Sequence, residues 1–326
     1  YVVTKIPRFT FEKFSSSPVT LGTSMKSVGE AMAIGRNFKE SVQKALVSLE
    51  TGFSGLDRIF KLNKKQIEKK LKENIPNKLL LVAEAIRKKI NIKQIYNLSK
   101  IDPWFLEQIK EIVDTEIKIK NEGIPKNFIE FNKIKSIGFS DKKLSELSNT
   151  TEEIIRKKRT ALKILPVYKK VDTCAAEFKS FTPYMYSTYQ RNFSIKSECE
   201  SNPNKRKKII ILGGGPNRIG QGIEFDYCCC QASFSLKDAG FETIMINCNP
   251  ETVSTDYDTS DRLYFEPLKE EFVFNIIKKE QMNGNLIGII AQFGGQTPIK
   301  LAKFLHQNKF PILGTQYSSI DLAEDR

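Results

Sequence analysis

The residues best able to do chemistry lie in three polar turns: Gly213 to Gly222, Asn249-Pro250-Glu251-Thr252, and Gly294-Gly295-Gln296-Thr297. Each follows an apolar run of the buried, parallel-strand kind. All three should therefore gather at the carboxyl edge of one sheet, where α/β folds bind ligands. The first turn invites a dinucleotide reading, since Gly213 and Gly215 fit the first two glycines of G-x-G-x-x-G. Arg218 then fills the third position, where close helix packing excludes a bulky side chain. The next strand ends in Asn247-Cys248-Asn249, with no carboxylate for a ribose hydroxyl, and no Gly-Lys-Ser/Thr makes a P-loop. Two readings stay open: glycines that permit tight turns, and glycines that line a ligand-facing edge.

Metal chemistry is not expected. His306 is the only histidine, and none of Cys174, Cys199, Cys228, Cys229, Cys230 and Cys248 falls in a C-x-x-C pattern. The triplet Cys228-Cys229-Cys230 reads as small buried side chains in a reduced compartment, so a cytoplasmic location is expected.

The elements that must position the turns alternate. Residues 208–212 read as a strand, 225–237 as a helix ending at Gly240, and 243–247, 263–265 and 286–291 as further strands. Thr297-Pro298 reads as the cap of a helix carrying Leu301, Ala302 and Leu305 on one face, and 311–313 as a last strand. Such alternation implies an open parallel α/β sheet. Upstream, 51–200 reads as almost entirely helical, a compact bundle of short helices. There Asp102-Pro103 starts a helix whose face is Phe105, Ile109, Ile112, Val113 and Ile117. Thr150-Thr151-Glu152-Glu153 reads as a capping box, and Ser140 as the cap of a short helix. Residues 1–50 hold a strand-like opening and a helix around 38–49, with Phe38, Val42, Ala45, Leu46 and Leu49 at helical spacing. That is too little for a domain and reads as the tail of one. The expected divisions are therefore 1–50, 51–200 and 201–326.

With 326 residues, 40% apolar and 28% charged, the chain is of soluble globular composition and long enough for two or three domains. No apolar run is long enough to cross a bilayer, no signal peptide is visible, and the first residue is Tyr1. Lys and Arg number 52 against 38 Asp and Glu, a formal charge of +14. The lysines are spread as pairs along the chain; only Lys205-Arg206-Lys207-Lys208 is compact, and it runs straight into a strand. That pattern reads as a solvated surface. No helix combines a base-reading face with a basic patch, so nucleic-acid and membrane partners are not expected.

The turns are also specific as sequence. Residues 213–229, from Gly213-Gly214-Gly215-Pro216-Asn217-Arg218 to Tyr227-Cys228-Cys229, resemble the start of the second half of the carbamoyl phosphate synthetase large chain. So do residues 247–267, which include Asn249-Pro250-Glu251-Thr252-Val253-Ser254-Thr255-Asp256. Residues 171–178 and 184–189 resemble the end of that family's helical oligomerisation domain, and 1–14 with 25–36 the end of its first ATP-grasp unit. The resemblance runs the whole length in order and is thinnest over 53–165, where Ile101-Asp102-Pro103-Trp104-Phe105-Leu106 is the clearest match.

The resemblance implies an internal piece of the two-ATP synthetase chain. Its fold would be an all-α oligomerisation domain followed by a pre-ATP-grasp, Rossmann-like α/β domain. In this family one ATP activates bicarbonate, glutamine-derived ammonia gives carbamate, and a second ATP makes carbamoyl phosphate for pyrimidine or arginine synthesis. ATP, Mg2+ or Mn2+, and K+ belong to the full-length enzyme, with no catalytic, cofactor or metal residue expected here. A glutaminase domain or subunit and further copies of the chain are the implied partners. By the same match Met25, Glu30, Arg218, Gly222, Glu224 and Glu251 line the tunnel that carries carbamate. Burial of the three glutamates would favour their neutral form; ordinary salt bridges are the alternative, with Arg218 the nearest partner in sequence. A non-catalytic assembly module is the competing function, and a nicotinamide oxidoreductase a third.

Overall fold

The computed structural model describes residues 1–13, 16–175, 177–189 and 198–324; Phe14, Ser15, Ala176 and Arg326, which fall in stretches discussed above, lie outside them. The chain opens as an antiparallel hairpin of β1 (Val2–Arg8) and β2 (Gly29–Gly35), in a register that pairs Val2 with Gly35 and Arg8 with Gly29. Helix α1 (Phe38–Ser48) follows, capped by the Asn37 side chain, whose Oδ1 accepts the Glu40 amide at 3.0 Å.

Next come α2 (Lys64–Leu71), α3 (Lys78–Arg87), α4 (Ile92–Ser99), α5 (Pro103–Glu122), α6 (Phe128–Ser136), α7 (Asp141–Leu147) and α8 (Glu152–Ala161). Their apolar faces share one core with α1, built from residues such as Val42, Leu80, Ile109, Val113, Phe131 and Ile155. Asp102 caps α5 as expected, accepting the Trp104 amide at 2.8 Å. Its buried face differs from the expected one. Leu106, Ile109, Ile112, Val113, Glu116 and Ile119 are buried, whereas Phe105 and Ile117 are 40% and 44% exposed. Phe105 instead packs edge-on against Phe38 and Trp104, with centroids 5.1 and 5.0 Å away. Ser140 caps α7 as expected. At α8 the cap is Thr151, which accepts the Ile154 amide at 3.3 Å. The third helical residue is thus Ile154, and the expected capping box cannot form.

The stretch expected to be helical up to residue 200 ends in two strands. β3 (Val167–Lys170) and β4 (Tyr184–Thr188) join β5 (Lys207–Leu212), β6 (Glu242–Asn247), β7 (Arg262–Phe265) and β8 (Asn285–Ile290). The order is β3-β4-β7-β6-β5-β8. β3 runs antiparallel to β4 and every other pair is parallel, so the sheet is mixed rather than wholly parallel. Residues 311–313 contribute a single parallel bridge, Ile289 to Ile312. The crossovers carry α9 (Glu224–Asp238), α10 (Glu270–Glu280), α11 (Gln296–Ile299) and α12 (Ala302–Gln307), and α13 (Tyr317–Glu324) ends the described chain. Gly295, not Thr297, precedes α11, and no side chain caps it.

One face of the sheet buries Ile210, Leu212, Ile244 and Ile246 against Val273, Ile276 and Leu305. The other buries Ile209, Ile211, Met245 and Leu263 against Cys229, and also against Ile34 of the hairpin. Two expectations about surface chemistry change here. Lys208, from the basic run, is fully buried with its Nζ 2.8 Å from Glu280. Of the cysteine triplet Cys229 and Cys230 are buried and Cys228 is exposed, because three consecutive helical residues span about 200° and cannot all share one face.

Candidate functional site

β5 and β6 deliver their carboxyl ends side by side, and the three turns converge there. Asn247, fully buried at the tip of β6, organises them. Its Oδ1 accepts the Gly215 amide at 3.0 Å and the Cys248 amide at 2.9 Å, while its Nδ2 donates to Ser254 Oγ at 3.1 Å. Asn249 Nδ2 donates to Asn217 Oδ1 at 2.9 Å, and Asn249 Oδ1 accepts the Glu251 amide at 3.0 Å. In the first turn Gln221 Nε2 closes back on the Gly214 carbonyl at 2.9 Å. Buried polar groups need such partners, and asparagine offers donor and acceptor at once. The resulting edge borders a cleft of about 760 Å³ lined by Asn217, Gly222, Glu224, Asp226, Tyr227 and Glu251 among others.

The N-terminal hairpin closes over this edge. A Cβ on Gly29 would lie 2.3 Å from the Asn217 carbonyl oxygen, so only glycine lets β2 approach so near. The Met32 amide donates to the Cys248 carbonyl at 3.3 Å, and Lys13 Nζ to the Ile219 carbonyl at 3.4 Å. Residues at the two ends of the sequence thereby share one site.

Glu30 and Glu251 meet at this seam. Lys5 pairs with Met32 and Glu30 with Pro7 across the hairpin, which puts Lys5 and Glu30 diagonally on one face. Lys5 Nζ sits 2.6 Å from Glu30 Oε1 and 3.1 Å from Glu251 Oε1. The Glu251 carboxyl is held below its ordinary range, first by a hydrogen bond shared with Glu30 and then by Lys5. The same two carboxylates raise the Lys5 ammonium. The expectation that burial keeps these carboxyls neutral therefore fails at Glu251, whose side chain is 59% exposed. The partner is also not Arg218. That guanidinium stands near Arg8, whose pKa is lowered first by burial and then by the charge of Arg218.

Gly222 and Glu224 lie on the far side of the cleft. Gly222 is not one of the glycines at positive φ; Gly220 takes that role in the turn, at φ +87°. The three atoms nearest a Cβ on Gly222 all belong to the Glu224 carboxylate, the mobile end of a side chain. Met25 is set apart, 88% exposed in the segment between the hairpin strands. Sequence reasoning named the turns that hold Asn217 and Asn249 but missed Lys5 and the organising role of Asn247. Asparagines at strand ends were visible; the hairpin pairing that brings Lys5 in was not.

Among the described residues no group of three or more His, Cys, Asp or Glu side chains could hold a metal ion, and no helix is long and apolar enough to cross a membrane.

Comparison with known proteins places both halves. Residues 30–163 match the model of the carbamoyl-phosphate synthetase large chain oligomerisation domain, and residues 205–322 that of the carbamoyl phosphate synthase preATP-grasp domain. The carbamoyl phosphate synthase large chain of Rhizobium meliloti is 56% identical over 333 residues, covering 100% of this chain and 29% of its own length. That of Brucella melitensis is 56% identical over 332 residues, again 100% and 29%. That of Pseudomonas aeruginosa is 53% identical over 331 residues, 100% and 30%. The chain thus spans under a third of the length of the curated relatives it matches.

Proposed function

Because the chain belongs to the carbamoyl phosphate synthase large-chain family, we propose that it is the connecting region of a glutamine-dependent, ATP-driven ligase. On this reading residues 1–50 end the first ATP-grasp unit, 51–200 hold copies together, and 201–326 open the second unit. Bicarbonate, ammonia from a glutaminase partner, and two ATP are consumed elsewhere in the enzyme. This chain conducts carbamate between the two reactions and acts in the cytoplasm.

One observation carries the reading: the hairpin brings Glu30 against Glu251, on the seam between the proposed units and beside the cleft that holds Gly222 and Glu224. Carbamate hydrolyses readily in water, so a route between two distant sites must exclude water and discourage escape. The Glu251 carboxylate, held below its ordinary range, repels the anion from the lip, and Gly222 leaves the bore open. Gly222, Glu224 and Glu251 border the cleft and Glu30 joins Glu251 at the seam, which supports these four as wall residues; Arg218 and Met25 are proposed from the resemblance alone.

The test is Gly222→Phe in the intact synthetase. Its φ is not in the left-handed region, so a side chain brings no backbone strain of that kind, and the nearest atoms to yield are those of the Glu224 carboxylate. Overall carbamoyl phosphate synthesis should fall at least tenfold, about 1.4 kcal/mol on the coupled flux. Bicarbonate-dependent ATP hydrolysis and ATP formation from carbamoyl phosphate should persist, with an unchanged melting curve. Parallel loss of every activity with a lower melting temperature would refute the assignment.

A further inference from the structure

We propose that Lys5 is a positioning residue of the seam: it holds Glu30 and Glu251 together at one lip, and without it the route leaks. The proposal rests on the tunnel reading above and adds a residue that the resemblance did not supply. Three observations carry it. Lys5 is the only cation among the described residues in ion-pair contact with either glutamate, at 2.6 and 3.1 Å. It comes from β1, Glu30 from β2 and Glu251 from the loop after β6, so the triad crosses from the hairpin to the sheet edge. The approach of β2 at Gly29 and the Met32–Cys248 bond fix that crossing from both sides.

Two carboxylates within hydrogen-bond reach repel each other unless a proton or a cation intervenes. Lys5 bridges the two carboxyls at 2.6 and 3.1 Å and keeps them adjacent. Remove the ammonium and no cation bridges the two carboxyls, so they part and the lip opens. An exposed salt bridge contributes little to global stability. Lys5 should therefore matter to channelling far more than to folding.

The experiment uses the intact synthetase with Lys5→Gln, Lys5→Arg and the double variant Lys5→Gln/Glu251→Gln. In Lys5→Gln, carbamoyl phosphate formed per ATP hydrolysed should drop about tenfold, a loss typical of misplaced positioning groups. Each partial reaction should change less than about twofold, as expected when no transition-state contact is touched. Lys5→Arg should restore the ratio, since a guanidinium bridges two carboxylates well. The double variant should recover part of it by removing the repulsion. An unchanged ratio in Lys5→Gln overturns the proposal, as does a uniform fall in all activities with a lower melting temperature. Failure here with Gly222→Phe still uncoupling the enzyme would discard Lys5 and keep the tunnel; failure of both would discard the tunnel itself.

Discussion

Glu152 begins α8 with its carboxyl mostly buried, facing Glu270 and Glu271 of α10 and Asp141 of α7, with Arg156 one turn on. Burial first, then those three carboxylates, push its pKa from 4.5 up to about 7. The folded state therefore holds this proton more tightly than the unfolded chain. Stability from this group is full below pH 4.5 and is lost as pH rises through 7. A charge at the helix start regains only about 0.3–1 kcal/mol from the macrodipole, too little to reverse the sign. Glu152→Gln should thus leave stability unchanged near pH 4 and raise it at pH 8, by roughly 3 kcal/mol at most. Urea unfolding at both pH values checks this; equal effects at both would contradict it. The sequence showed Glu152 as a capping group. It could not show the acidic neighbours, which arrive from an element packed on it only in the fold. Lys5 is the same case: an unremarkable lysine in a short strand until β2 and the 249–252 loop reach it.

Helix α5 shows what local rules settle by themselves. Asp102 and Pro103 set its start and Gly123, at φ 80°, its end. Asp102→Ala should cost about 1 kcal/mol, the usual loss for an N-cap, read as a shift in the urea midpoint with unchanged slope. Little or no shift would show the cap to be redundant with Pro103. The buried strands of the sheet were equally legible, because runs such as Ile209-Ile210-Ile211-Leu212 leave few other choices. The misses share a cause. β2 is Gly-Glu-Ala-Met-Ala-Ile-Gly, whose small residues show no strand period, and its partner lies across a long connection. β3 and β4 gain their identity from pairing with each other and with β7. Pairings over such distances are tertiary facts, and a local pattern cannot announce them. The site was therefore legible at its turns and through resemblance, but not in the hairpin that closes it.

At the scale of the molecule, the helical bundle and the sheet meet through buried charges rather than a smooth apolar face. Lys135 of α6, 1% exposed, donates to Asp141 at 2.8 Å, to Glu271 of α10 at 2.7 Å, and to the Phe139 carbonyl at 2.7 Å. Arg159 of α8 grips the same Asp141 at 3.0 to 3.2 Å. Nearby, Lys44 of α1 donates to Glu266 at 3.0 Å and to the Ser187 carbonyl of β4 at 2.6 Å. Such pairs add little net stability over an apolar contact, but breaking one strands a buried charge. They also demand one geometry, which suits a connecting region that must hold a seam in register. Lys135→Met should therefore destabilise by about 3–5 kcal/mol. The loss should appear in the bundle and the sheet together, because Lys135 joins Glu271 of α10 to Asp141 of α7, and its removal takes the paired cation from Glu271 while Asp141 keeps Arg159. Calorimetry paired with circular dichroism checks this. A single transition, moved to lower temperature with both probes coincident, is the expected result. Two separated transitions, with only the helical one displaced, would mean that the bundle and the sheet fold independently and that the buried charges do not hold the seam.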